Sequence, residues 1–176
     1  MRILVLGGIR SGKSRWAESA IATAAGAGEP VRYLATGAPP GDDVEWSRRV
    51  AAHRDRRPAH WATEETTDVA ARLRAGHTAA IVDDVGGWLT AEMDRAGAWT
   101  GGSVSPALDA LIGAVEDFRA PLALVSPEVG LTVVPATAAG RRFADELGAL
   151  NQRLAECCDR VVLIVAGQPI IVKEPS

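Results

Sequence analysis

The chain has 176 residues, 47% hydrophobic and 23% charged, with 19 Lys plus Arg against 22 Asp plus Glu for a formal net charge of −3. This length suits one domain spanning 1–176 with its own core, and the composition excludes wholesale disorder. The negative balance argues against a basic nucleic-acid-binding domain, so no nucleic-acid partner is expected. The two cysteines, adjacent Cys157 and Cys158, cannot build a disulfide framework or a four-thiolate zinc site, and they fit a reducing cytoplasm.

The first apolar run, Ile3-Leu4-Val5-Leu6, reads as a strand buried on both faces. It meets Gly7-Gly8 too soon to serve as a secretory signal. A helix is predicted over Ser14 to Ala25, ended by Gly26-Ala27-Gly28-Glu29-Pro30. A strand follows over Val31 to Leu34, then the break Gly37-Ala38-Pro39-Pro40-Gly41. Helices are expected over Val44 to Arg56 and Thr67 to Arg74, and a strand over Ala80-Ile81-Val82. Ser105-Pro106 marks the next helix start, with Ser105 as cap and Pro106 in the first turn, running to Phe118. Leu122 to Val125 is a strand, Ala138 to Cys158 a helix, Val161 to Val165 a strand, and Ile170 to Lys173 a last strand at the edge. The apolar run Val161 to Gly167 falls far short of the ~20 residues that span a membrane, so no membrane span is expected. The alternation predicts an α/β fold, a mostly parallel sheet flanked by helices with right-handed crossovers. Ligands of such sheets bind beyond the carboxyl ends of the strands.

Chemistry enters at Gly7-Gly8-Ile9-Arg10-Ser11-Gly12-Lys13-Ser14, which fits G-x-x-x-x-G-K-[ST] between a strand and a helix. Glycines let backbone N–H groups converge on phosphate oxygens, and the helix N-terminus adds partial positive charge. Lys13 reaches the β- and γ-phosphates and Ser14 ligates Mg²⁺. The fold is therefore expected to be of the P-loop, RecA-like kind. Asp83 and Asp84 close the strand before them. Asp83 comes first and is assigned to the metal, directly or through water. Asp84 is the better cap for a helix starting near Trp88.

Further motifs narrow the reading. They are Tyr33-Leu34-Ala35-Thr36, the segment His53-Arg54-Asp55-Arg56-Arg57-Pro58-Ala59-His60-Trp61-Ala62-Thr63-Glu64-Glu65, Trp88-Leu89-Thr90, and the block Glu128-Val129-Gly130, Val133-Val134-Pro135, Arg142-Phe143, Asn151-Gln152 and Ala166-Gly167. Together with Arg10 in the loop, they resemble the bifunctional adenosylcobinamide kinase/adenosylcobinamide-phosphate guanylyltransferases of cobalamin assembly over nearly the whole length. The resemblance implies two reactions. A nucleoside triphosphate, GTP or ATP, phosphorylates adenosylcobinamide. GTP then gives GMP to that phosphate through a histidine–GMP intermediate, yielding adenosylcobinamide-GDP and pyrophosphate. It also implies a homotrimer.

Carried over by position, the nucleophile is His53. A neutral imidazole attacks the α-phosphorus and pyrophosphate leaves, so one difficult displacement becomes two easier ones. Some relatives carry two consecutive histidines there, whereas this chain has Ala52-His53. The resemblance sets Arg54, Asp55, Arg56 and Arg57 beside the nucleotide, where the arginines can take phosphate oxygens in bidentate fashion and favour the neutral imidazole. It sets Ala35, Thr36 and Gly37 at the nucleotide's border and Glu65 on the guanosine. On composition alone, His53 is a solvated residue of a charged helix and Glu65 an ordinary exposed acid. His60 reads as structural or substrate-facing, and His77 lies in a surface turn without a role. The cysteines read as helix packing. Trp16, Trp46 and Trp61 either cover a bulky corrinoid, pack a subunit interface or fill the core. Departures from the family pattern are Asp42-Asp43-Val44-Glu45-Trp46, Ser126-Pro127-Glu128 and Gly86-Gly87. Two other functions fit the loop alone: a kinase without the histidine step, or a nucleotide-dependent regulatory module.

Overall fold

The computed structural model describes residues 1–37, 48 and 57–175. In chain order the strands are β1 (Arg2–Gly7), β2 (Val31–Ala35), β3 (Ala62–Glu65), β4 (Ala79–Asp83), β5 (Leu122–Pro127), β6 (Arg160–Val165) and β7 (Gln168–Lys173). The helices are α1 (Lys13–Ala25), α2 (Val69–Ala75), α3 (Val85–Arg95), α4 (Ser105–Asp117) and α5 (Ala138–Cys157). One seven-stranded sheet runs β3-β2-β4-β5-β1-β6-β7. All pairs are parallel except β6 with β7. The expected α/β architecture and its edge strand are therefore present.

Alternation along β1 splits the core into two faces. Ile3 and Val5 point to one side, where they meet Ala17 and Ile21 of α1 together with Tyr33, Ile81 and Val125. Leu4 points to the other, toward Leu34, Val82 and Leu124 under Trp88, Leu89, Met93, Leu111 and Leu150 of the remaining helices. Trp61 is buried among the first set and takes the core role, while Trp16, partly buried, packs at its margin. Trp46 lies outside the described residues. Cys158 is buried in the second set with Cys157 packed against it, as their helix-packing role predicts.

β3 has no counterpart among the expected elements. Its sequence, Ala62-Thr63-Glu64-Glu65, has no apolar run because it lies at the sheet edge with three of four positions exposed. Pairing with β2 makes it a strand, and Arg32 donates from Nε and Nη2 to the two oxygens of Glu64 at 2.8 and 3.3 Å. Other boundaries shift by a few residues. Asp68 caps α2 by accepting from Ala71 N at 3.3 Å, so that helix opens at Val69. The helix expected near Trp88 opens at Val85, because Asp84 Oδ1 accepts from Gly86 N at 2.8 Å. A side chain at Gly86 would meet Pro127 Cγ at 2.7 Å; the glycine lets α3 start against the end of β5. Ser105 is the first residue of α4 rather than its cap, which is Val104; Ser103 Oγ accepts from Ser105 N at 3.2 Å. The helix expected over Val44 to Arg56 lies, Arg48 apart, outside the described residues. Among the described residues no helix is long and apolar enough to cross a membrane.

The buried amide of Asn151 ties α5 to the end of β5. Its Oδ1 accepts from Ser126 Oγ at 2.6 Å and its Nδ2 donates to Pro127 O at 3.1 Å. Replacing Asn151 by Leu strands both partners, at about 1–3 kcal/mol for each buried group left unpaired. Urea unfolding of Asn151→Leu is expected to show a midpoint well below that of the parent.

Candidate active site

The loop between β1 and α1 is held from three sides. Ser11 N donates to Gly8 O at 3.3 Å within it. Glu128 N donates to Gly7 O at 3.1 Å from the end of β5, and Gly167 N donates to Ser11 O at 2.8 Å from the β6–β7 turn. That two-residue turn has φ of 50° at Ala166 and 79° at Gly167, the primed geometry that matches strand twist. Gly12 has φ 94°, and a Cβ there would stand 3.3 Å from Gly167 Cα. Arg10 also takes positive φ, 56°. Consecutive left-handed and right-handed residues turn successive N–H groups toward one concavity, an anion-binding arrangement at the start of α1. Lys13 Nζ lies over this concavity's rim, donating to Gly8 O at 3.3 Å. Ile9 is exposed on the loop's outer side. Ser11 Oγ is buried with no partner among the described residues.

Sheet order brings the rest. β4 stands two places from β1, and its last residue, Asp83, reaches the first turn of α1. Ser14 Oγ donates to Asp83 Oδ1 at 3.3 Å. Tyr33, reaching across from β2, donates its hydroxyl to Asp83 Oδ2. Burial, and then the neighbouring Asp83 carboxylate, push the Tyr33 phenol far above its ordinary range, so it remains a donor. Asp84, joined to Asp83 by a cis peptide bond, caps α3. Burial first, then the charge of Asp83, raise its carboxyl. Asp84 thus takes the capping role expected of it, while Asp83 stands beside Ser14.

Thr36 is buried, and its hydroxyl is taken up by Asp84: it donates to Asp84 O and accepts from Asp84 N at 2.8 Å. It clasps the end of β2 to β4 beside Ala35 and the exposed Gly37. Glu65 ends β3 in register with Ala35. It shares the carboxyl edge of the sheet with the loop, but β3 is four places from β1, about 19 Å at ordinary strand spacing. Arg57 packs on Tyr33, its guanidinium carbon 3.4 Å from the ring centroid, and donates to Thr63 Oγ1 at 3.0 Å. His53, Arg54, Asp55 and Arg56 lie outside the described residues. His60 and His77 are exposed.

So the fold assembles Gly7 to Ser14 with Asp83 and Thr36 at one point, and puts Arg57 and Glu65 along the edge beyond. Sequence reading did not single out Tyr33 as a site residue. The signal was present: a phenol inside an apolar strand needs a buried acceptor. Nor did it supply a reason for Glu128, Asn151 or Gly167, which turn out to brace the loop or the strand beside it.

A glycine-rich loop, an invading lysine, a helix N-terminus and a strand-end carboxylate on one sheet edge define a P-loop nucleotide-binding protein. The solved structure of an ATPase from the type III secretion system of pathogenic bacteria shares the fold, with TM-score 0.53 and 13% identity; the match covers 92% of this chain and 51% of that one. The family is given by sequence: residues 3–172 match the CobU model, cobinamide kinase / cobinamide phosphate guanyltransferase, and the chain belongs to that family. The bifunctional adenosylcobalamin biosynthesis protein CobP of Pseudomonas aeruginosa is 44% identical over 98% of both chains. The bifunctional adenosylcobalamin biosynthesis proteins CobU of Salmonella typhimurium and Escherichia coli are 36% and 32% identical, each over 98% of this chain and 100% of theirs.

Gly12→Ala forces a side chain into a left-handed backbone, a cost of about 1–2 kcal/mol, and presses on Gly167. The variant is expected to lose that much stability in urea unfolding and to bind GTP more weakly in equilibrium dialysis.

Proposed function

We propose that the chain carries out two successive group transfers on a corrinoid, as its family name describes: phosphorylation of adenosylcobinamide by a nucleoside triphosphate, then transfer of GMP to the resulting phosphate. The observation that carries this is the pairing of Ser14 with Asp83 at 3.3 Å beside the loop headed by Lys13. A hydroxyl and a carboxylate are the hard oxygen donors that suit Mg²⁺. Ser14 and Asp83 would hold Mg²⁺ here together with the nucleotide's own phosphate oxygens. When bound, the ion would supply charge neutralisation on the triphosphate.

In the first reaction the loop amides and Lys13 hold the β- and γ-phosphates and stabilise the charge that spreads over the transferring group. The corrinoid hydroxyl attacks the γ-phosphorus, the bond to the β-phosphate oxygen breaks, and the hydroxyl proton leaves. The hydroxyl of Ser11, buried and without a partner among the described residues, supports a loop completed by a ligand's oxygen. In the second, the His53 imidazole attacks the α-phosphorus of GTP and pyrophosphate departs. An oxygen of cobinamide phosphate then displaces the imidazole from GMP and closes the diphosphate. Arg54, Arg56 and Arg57 serve the phosphates, and Ala35, Thr36, Gly37 and Asp55 border the nucleotide. Glu65 selects guanine through its N1–H and N2–H₂. The protein works in the cytoplasm as a homotrimer, and the exposed Ile170, Ile171 and Val172 of the edge strand offer an apolar surface for a subunit contact.

Incubation with α-labelled GTP and Mg²⁺ is expected to leave acid-labile label on the protein. His53→Ala should remain unlabelled while still phosphorylating adenosylcobinamide, as mass spectrometry of the product will show. Label retained by His53→Ala overturns the assignment of the nucleophile. Lys13→Ala is expected to slow the kinase reaction by about 10²–10³-fold, the usual cost of one lost charge-stabilising donor.

A further inference from the structure

Asp83 meets a different hydroxyl at each of its two oxygens. Oδ1 receives Ser14 Oγ, the metal-side partner. Oδ2 receives the hydroxyl of Tyr33, whose ring is 1% exposed. A carboxylate at a strand end turns freely about two bonds unless something holds it. Here the phenol holds one oxygen, and the other is thereby directed at the loop. The phenol is itself immobilised. Its ring is sealed in the core beside Val31, Ile81 and Ala17, and the Arg57 guanidinium lies 3.4 Å from its centroid. Arg57 in turn is fixed by Thr63 Oγ1 on β3 at 3.0 Å. A guanidinium over a tyrosine face is attracted by the ring's negative face, so the contact resists rotation of either group.

We propose that Tyr33 is a positioning residue for the magnesium carboxylate, and that Arg57 locks Tyr33 in the orientation this requires. The inference rests on the reading of Asp83 as the magnesium anchor. Its consequence is a physical link between two parts of the site. Arg57 stands four residues after His53 in the sequence. The end of the histidine segment and the carboxylate at the end of β4 therefore meet on one side chain, Tyr33, with Arg57 over its ring and Asp83 at its hydroxyl. A change in how Arg57 sits on the ring alters how firmly Asp83 is aimed, without any contact between Arg57 and the metal.

The test separates aiming from simple core filling. Affinity for α,β-methylene GTP, which cannot donate GMP, is measured by equilibrium dialysis with EDTA and with Mg²⁺. The ratio of the two dissociation constants is the magnesium increment. Because both values come from one preparation, any loss of folded protein cancels. Tyr33→Phe keeps the ring and the Arg57 stack and removes only the donor. It is expected to leave affinity in EDTA within twofold of the parent and to reduce the magnesium increment by about 10-fold or more, the usual effect of removing a group that orients a metal ligand. Arg57→Met should reduce the increment in the same direction and by less. The double variant should do no worse than Tyr33→Phe, since Arg57 acts through the hydroxyl already removed. Asp83→Asn provides the reference. If Asp83→Asn loses the increment and Tyr33→Phe keeps it, the positioning role is overturned and the anchor stands. If Asp83→Asn keeps it, the anchor reading fails and this inference falls with it. If the double variant shows the product of the two single effects, Arg57 does not act through Tyr33.

Discussion

The Asp83 carboxylate is the point at which the molecule's long-range order becomes chemistry. It closes β4, yet its two oxygens are engaged by Ser14 of α1 and Tyr33 of β2. Three segments separated widely in the chain must be in register for that to happen. Parallel pairing of β2 with β4 sets Tyr33 opposite Ile81 and Ala35 opposite Asp83. Pairing of β4 with β5, and of β5 with β1, then brings Gly7 to the same edge. A slip of one residue in any of these ladders turns every side chain of that strand to the opposite face, and the carboxylate loses its partners.

A second constraint acts on the loop itself. Its backbone takes left-handed conformations at Arg10 and Gly12, which a short unsupported segment would abandon. The supports are backbone hydrogen bonds from Glu128 and Gly167, and both come from the far end of the chain. The tight β6–β7 turn thus helps hold the shape of the loop, by the hydrogen bond from Gly167 N to Ser11 O. This accounts for motifs that had no evident chemistry in the sequence. Asn151, Glu128 and the pair Ala166-Gly167 preserve the shape on which Lys13 and Ser14 act.

Along the edge the site changes character. Near β1 it is a set of backbone amides and one lysine, suited to phosphate. Toward β2 and β3 it becomes side-chain polar, with Arg57 stacked on Tyr33 and Glu65 at the strand end. A nucleotide is long compared with one strand spacing, so a fold that spreads polar groups along four strands has room for phosphates and base at different stations. The family's two reactions draw on different phosphorus atoms of the nucleotide, and an extended edge is a reasonable platform for both.

Much of this was legible before folding. The apolar runs marked six of seven strands: five because strands in the middle of the sheet carry little else, and β7 because its apolar run stands at the edge though all its positions are exposed. The P-loop was legible because phosphate binding restricts residue types within eight consecutive positions. Asp84 as a cap was legible because capping is local. What lay beyond reach were relations between distant residues: β3, a polar edge strand that exists only because β2 offers a partner and Arg32 a counter-charge; the donor role of Tyr33, which depends on a neighbouring strand's register; and the service of Gly167 to Gly12, which needs the hairpin to lie against the loop. Local chemistry is written in adjacent residues and can be read there. Which distant groups meet is decided by sheet order and register, and these emerge only when the whole core packs.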